Sequence, residues 1–167
     1  MPKGMQAIYS RTFTSNANGM TFNNIPQTYT DLLIKLSTKS TSPTQDIFGI
    51  YLNGSQANFN NTSLNGTGGS YNSGRSTYRA VGQMAGTDYT SNAFSNYDIY
   101  IPDYTSTKFK QIIVDGVIEN NATTSAITLV SNLVRTNAPI KSFQYDSSTH
   151  GVVQLAGTTI TLYGISR

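Results

Sequence analysis

Ala156-Gly-Thr-Thr-Ile-Thr-Leu-Tyr-Gly-Ile-Ser-Arg167 opens on a glycine turn and then alternates apolar residues with threonine. A period of two is the pattern of a strand with one buried face. The alternation places Ile160 and Leu162 in a core, with Ile165 as a further core candidate and Tyr163 on the opposite face. Left unpaired, so apolar a strand is an adhesive edge, so it is expected to close a sheet. No catalytic signature lies in it or beside it.

The same alternation recurs upstream. Gln6–Phe13 and Met20–Ile25 read as two short strands separated by the turn cluster Asn16–Gly19, and Pro26 stops the second by removing an amide donor. Tyr29–Ser37 is the first strong strand, with Leu32, Ile34 and Leu36 on one face and Leu33 and Lys35 on the other. Thr38–Thr44 is loop. Asp46–Asn53 follows with Phe48, Ile50 and Leu52 inward and Tyr51 outward, and Asn53-Gly54 is a tight hairpin pair.

From Ser55 to Gly86 hydrophobic residues are sparse and Asn and Gly frequent, which predicts a long irregular loop. Phe94–Pro102 puts Tyr97, Ile99 and Ile101 on one face, and Lys108–Asp115 is a further strand whose Gly116 predicts a bulge or bend. Ala126–Val134 has Ile127, Leu129 and Leu133 at even spacing; Ile140–Tyr145 and Val152–Leu155 complete the series. No sustained helical period and no internal repeat is present. About eight to ten short strands divided by Gly, Asn and Ser turns predict an all-β, antiparallel, jelly-roll-like β-sandwich spanning 1–167 as one domain.

Composition agrees. Only 11% of residues are charged and 37% hydrophobic, yet there are 11 Tyr and 7 Phe, an aromatic content foreign to disordered chains. The net charge of +3 is scattered, its tightest groups being Lys35/Lys39, Arg75/Arg79 and Lys108/Lys110, which is no nucleic-acid footprint. The chain has no cysteine, hence no disulfide and no thiolate chemistry. Neither a secretory leader nor an apolar run of roughly 18 residues is visible, so the expected product is a soluble protein made in a cytoplasm, with no membrane partner.

Catalytic constellations are thin. The single histidine, His150, lies in a Ser/Thr/Gly turn and reads as a solvated loop residue. Asp98 and Asp103 are close in sequence, but strand exterior and turn former describe them better than a glycosidase pair. Asn65-Gly-Thr-Gly-Gly-Ser70 lacks the Lys-Ser/Thr and the helix of a phosphate cradle and reads as a flexible loop. No enzyme activity, cofactor or metal is expected. Tyr71, Tyr78, Tyr89, Tyr97, Tyr100 and Tyr104 suit either a contact surface or simply strand structure. Within the long loop, Tyr71, Arg75, Tyr78 and Arg79 are the candidate contact residues.

Four blocks, in order along the chain, carry a resemblance. Phe22-Asn-Asn-Ile-Pro-Gln-Thr-Tyr-Thr-Asp-Leu32, the hairpin Ile50-Tyr-Leu-Asn-Gly-Ser55, Tyr100-Ile-Pro-Asp-Tyr-Thr-Ser-Thr-Lys-Phe-Lys110 and the closing Ala156–Ile165 resemble conserved-looking segments of small virion structural proteins of tailed bacteriophages. The sequence departs from that pattern where a Trp precedes an Ile-Asn-Ser-Ile strand; here Ala138-Pro-Ile-Lys-Ser-Phe143 stands instead. The resemblance implies a jelly-roll-like sandwich carried on a phage particle without enzymatic activity. It implies a capsid decoration (cement) protein, a head fibre or a tail fibre module, with partners among copies of itself, other virion proteins or a host-surface glycan. Residues 1–25 are then the expected anchor, and the 55–86 segment the outward or inter-subunit surface.

Overall fold

The computed structural model describes residues 4–55, 58–77, 80–119, 125–147 and 152–167. They form twelve strands: β1 (Gly4–Thr12), β2 (Gly19–Phe22), β3 (Asp31–Thr38), β4 (Asp46–Leu52), β5 (Phe59–Gly66), β6 (Tyr71–Ser76), β7 (Ala80–Met84), β8 (Ser95–Ile101), β9 (Lys110–Glu119), β10 (Ser125–Val134), β11 (Phe143–Asp146) and β12 (Thr159–Ser166). An eight-stranded sheet runs β1-β12-β3-β8-β9-β10-β5-β6, and a four-stranded sheet runs β2-β11-β4-β7. All strand pairs are antiparallel, and the two sheets pack as a sandwich.

The closing stretch does what its alternation predicts. β12 is an interior strand, paired on one side with β3 and on the other with β1, and Ile160 and Leu162 are fully buried. Ile165 is a correction: it shares the parity of Tyr163, and both are half-buried on the other face. The residue on the core side there is Gly164, whose missing Cβ leaves room for the Tyr29 ring; a Cβ would stand 2.4 Å from that ring.

The inward sets expected for β3, β4 and β8 are all buried: Leu32, Ile34, Leu36, then Phe48, Ile50, Leu52, then Tyr97, Ile99, Ile101. Between the sheets the rings of Phe48 and Tyr97 meet edge-on at 4.9 Å, and within the small sheet Phe48 meets Tyr145 at 5.3 Å. Such pairs add about 0.5–1.5 kcal/mol each beyond their buried area. Burial raises the phenols of Tyr97 and Tyr145 well above the ordinary tyrosine range.

Three local expectations are overturned. The 55–86 segment is not one loop: β5 and β6 form a hairpin extending the large sheet, and β7 pairs with β4 in the small one. Backbone pairing carries these Asn-, Ser- and Gly-rich strands at a sheet margin, where little apolar burial is demanded. Asn65–Ser70 is accordingly the hairpin itself, Asn65 and Gly66 lying in β5, with Thr67 N donating to Ser70 O at 2.9 Å across the turn. Gly116 makes no bulge, since β9 keeps register with both neighbours through it. It is opposite Tyr97, whose ring lies where a side chain would be. Finally, Val152–Leu155 does not form a strand; Gln154 makes single bridges to Ala17 and Ser40.

The expected anchor is woven into the sandwich: β1 is one outer strand of the large sheet, β2 one outer strand of the small sheet, and Phe13, Phe22 and Ile25 belong to the core. Anchoring by these residues would be exercised from edge strands, not from a free arm.

Candidate functional site

The core-facing side of the large sheet is occupied; its other side divides into two unlike halves. Across β8, β3, β12 and β1 that outer face carries Leu33, Tyr163 and Ile165 at one end and is polar and bonded to itself at the other. Lys35 Nζ reaches both oxygens of Asp98 at 2.9 and 2.8 Å, Ser10 and Thr161 hydroxyls are 2.8 Å apart, and Thr12 and Thr159 hydroxyls 2.9 Å apart. The β10 alternation puts Thr128, Val130, Asn132 and Val134 inward. Its evenly spaced Ile127, Leu129 and Leu133 therefore point out.

Neighbouring strands add to them in register. Leu129 lies between Leu64 of β5 and Asp115 of β9, Ile127 between Gly66 and Val117, and Ser131 between Thr62 and Ile113. Leu64, Ile113, Val117, Ile127, Leu129 and Leu133 are each 39–62% exposed, so six large aliphatic side chains form one continuous apolar face in solvent. Scattered exposed hydrophobics are ordinary, and a contiguous patch of this kind is the candidate contact surface of the described residues.

Two features frame the patch. Along its outer margin runs β6, exposed at every residue, which sets Tyr71 beside Gly66 and Arg75 beside Thr62 on this same face. Tyr71 is 85% exposed. At the Arg75 end is an open cleft of about 810 Å³ lined by Asn60, Thr62, Arg75, Thr77, Ser131 and Leu133. Within the patch, Asp115 stands directly opposite Asp98 on β8. Asp98 has Lys35, whereas Asp115 has no cation partner among the described residues. Like charges facing each other across a sheet are destabilising.

Of the four candidate contact residues, Tyr71 and Arg75 are thus brought to one exposed margin, at opposite ends of β6. Tyr78 and Arg79 lie outside the described residues, as does His150. The remaining tyrosines divide: Tyr97 and Tyr104 are core, Tyr89 and Tyr100 half-buried. The Lys35/Lys39 and Lys108/Lys110 pairs do not build a patch, because Lys39 and Lys110 are buried. Their ammonium groups cap backbone carbonyls, Thr90 O at 2.7 Å for Lys39 and Ser106 and Lys108 O at 2.6 Å for Lys110. Burial lowers both lysine pKa values.

Asp98 and Asp103 do not face one another across a cleft. Asp98 is in the ion pair with Lys35, and Asp103 occupies a turn at φ 45°, its amide donating to Asp31 Oδ1 at 3.0 Å. Asp31 is buried and held by several groups: it accepts from Tyr100 Oη at 2.9 Å and from Arg167 Nε and Nη2 at 3.0 and 2.8 Å. Burial alone raises its pKa, but the Asp103 amide, the Tyr100 hydroxyl and the Arg167 guanidinium outweigh it and hold the carboxyl below its ordinary value. This cluster ties the end of β12 to β3 and the turn after β8. Among the described residues no group of three or more His, Cys, Asp or Glu is placed to hold a metal ion.

Comparison of the chain with protein-family models, with curated proteins and with solved structures gave no match.

Proposed function

We propose that this chain is a non-enzymatic structural protein of a tailed-phage particle, a jelly-roll-like capsid decoration protein that stabilises the head exterior through contacts with neighbouring virion proteins. The observation that carries the reading is the continuous aliphatic face on β5, β10 and β9. A monomeric protein gains nothing from leaving six such side chains in water, whereas a protein that works by being packed against others does. The resemblance of four sequence blocks to small virion proteins directs the reading to a phage particle. Low charge and abundant Thr, Asn and Tyr suit broad, hydrogen-bonded contact surfaces.

The test is addition of the purified chain to expanded capsids that lack it. Saturable binding that slows heat- or chelator-induced capsid disassembly is expected. Absence of binding to any head preparation refutes the decoration role.

The Arg75 cleft supports a second reading, a head- or tail-fibre module that binds a host-surface glycan. Amide, hydroxyl and guanidinium donors line the cleft, and the Tyr71 ring stands exposed on the same strand. Glycan-array or cell binding lost on Tyr71→Ala and Arg75→Ala is expected under it; no binding to any host surface removes it.

A further inference from the structure

The geometry points to a second copy of this chain as the occupant of the aliphatic face, docked by a two-fold axis parallel to the strands and passing between β5 and β10. The inference rests on the reading of this face as an assembly surface and specifies its partner.

The order β6-β5-β10-β9 makes such a face self-complementary. A rotation about that axis lays β10 over the partner's β5 and β9 over the partner's β6, and it preserves position along the strands. Residues in one cross-strand row then meet the same row of the other copy. Leu129 and Leu64 share a row, so each packs on the other's counterpart twice over. Ile127 shares a row with Gly66 and Tyr71; the hollow over Gly66 receives Ile127, and the Tyr71 ring covers Val117. An isologous contact of this type closes at two copies and leaves no face open for fibre growth.

Charge selects the same register. Asp115 is the one carboxylate inside the aliphatic patch, next to Asp98 and without a cation among the described residues. Under the two-fold it lies over the partner's Ser73, with Arg75 of the partner subunit two residues along the same strand. Two residues of strand are about 7 Å, within the reach of an arginine side chain. Each copy has both members, so two ion pairs form at the rim, and each offsets the repulsion that Asp98 imposes on Asp115.

The contact is modest. Four strands at about 4.8 Å spacing and some nine residues at about 3.4 Å give a footprint of roughly 600 Å² per copy. A standard interface covers about 800 Å² per partner, so the free chain associates weakly, and the contact gains strength where copies are held side by side.

Sedimentation velocity of the full chain from about 10 μM to about 1 mM tests this, a span chosen because a small interface is expected in the micromolar-to-millimolar range. A monomer–dimer equilibrium is expected. Leu129→Asp is expected to abolish it, with Leu64→Asp as the second probe if the first variant loses its circular dichroism signature. Arg75→Asp and Asp115→Arg are each expected to weaken the dimer about tenfold or more, and the combined R75D/D115R chain to restore it. A chain monomeric throughout, a species larger than a dimer, indifference to both leucine variants, or no restoration in the charge swap overturns the inference. Capsid binding by the wild-type chain separates the two levels. A monomer that still binds heads leaves the decoration reading standing and removes the two-fold, whereas a dimer that binds no head does the reverse.

Discussion

Gly116→Ala adds one methyl group and is expected to be among the most costly small substitutions in the chain. A Cβ at that position would stand 2.0 Å from Tyr97 Cδ1 and Cε1, where carbon atoms in contact keep about 3.5–4 Å. The ring therefore has to retreat by about 1.5 Å or more. It has nowhere to go, because a Cβ on Gly82 of β7 would already stand 2.7 Å from the ring's Cε1, and Phe48 packs edge-on against it. Its hydroxyl is held at both ends of one peptide register, donating to Gln83 O and accepting from Gln83 N, each at 2.8 Å. Overpacking costs about 1–3 kcal/mol, and loss of the two hydrogen bonds about 0.5–1.5 kcal/mol each. The sum is about 2–6 kcal/mol, against a total stability of about 5–15 kcal/mol for a domain of this kind. Urea unfolding followed by tyrosine fluorescence and circular dichroism measures it. The sign is diagnostic, because Gly→Ala in an unobstructed strand position stabilises by about 0.5–1 kcal/mol. Gly74 of β6 is such a position, with its nearest neighbour, Ser63 Oγ, at 3.5 Å, and is the control. In a Tyr97→Ala background the methyl group is expected to cost nothing. A Gly116→Ala chain as stable as wild type, or an equal cost with and without the Tyr97 ring, refutes the packing account.

Asp31→Asn is expected to destabilise by about 2–4 kcal/mol at neutral pH, since it removes the charge that Arg167 and the Asp103 amide bind. The folded pKa of Asp31 is depressed, so its contribution is complete above the ordinary carboxylate value and vanishes as pH falls through the lower folded value. The gap between wild type and variant should therefore close on acidification below about pH 4, which chemical denaturation across a pH series reads directly. Asn53 sits at φ 52° and accepts from the Lys141 and Ser142 amides at 2.7 and 3.2 Å while donating to Pro139 O at 2.9 Å. Asn53→Ala is expected to cost about 2–3 kcal/mol through these bonds and the unfavourable φ, lowering the melting temperature. Asn132 is the opposite case: its amide is buried with neither polar atom hydrogen-bonded within the structure, and Asn132→Val is expected to raise the urea midpoint, by about 1–2 kcal/mol of stability.

What could be read from the chain in advance follows from how much each strand is asked to bury. β3, β4, β8 and β12 are interior or core-defining strands whose inward positions must be apolar, and their alternation identified the large buried side chains, with Ile165 the one misplaced candidate. β5, β6 and β7 were invisible because they belong to a margin of the sandwich. β6 buries no side chain at all, so its Tyr71-Asn-Ser-Gly-Arg-Ser76 carries no period to detect, and only backbone pairing to β5 makes it a strand. Gly116 misled for a related reason. A glycine inside a strand signals either an altered backbone or a neighbour too close for a side chain, and the sequence holds no mark that distinguishes them; the ring of Tyr97 lies across a strand pair separated by a loop.

The exposed aliphatic face, by contrast, had a signal in the sequence. A strand with one solvated face alternates apolar with polar residues. Gln111-Ile-Ile-Val-Asp-Gly-Val-Ile118 and Ile127-Thr-Leu-Val-Ser-Asn-Leu-Val134 are apolar on both parities instead. In β9 the inward Ile112, Val114 and Ile118 account for one face, which leaves Ile113 and Val117 for the other; in β10 Val130 and Val134 account for one, which leaves Ile127, Leu129 and Leu133. The two strands are adjacent, so their surplus falls on one surface. Doubly apolar strands are the rule where both faces of a sheet are covered, and here the described residues supply a cover for one face only. The proposed two-fold supplies that second cover from another copy of the chain, laying Leu129 on the partner's Leu64, and a chain that stays monomeric leaves the apolar surplus of β9 and β10 in water.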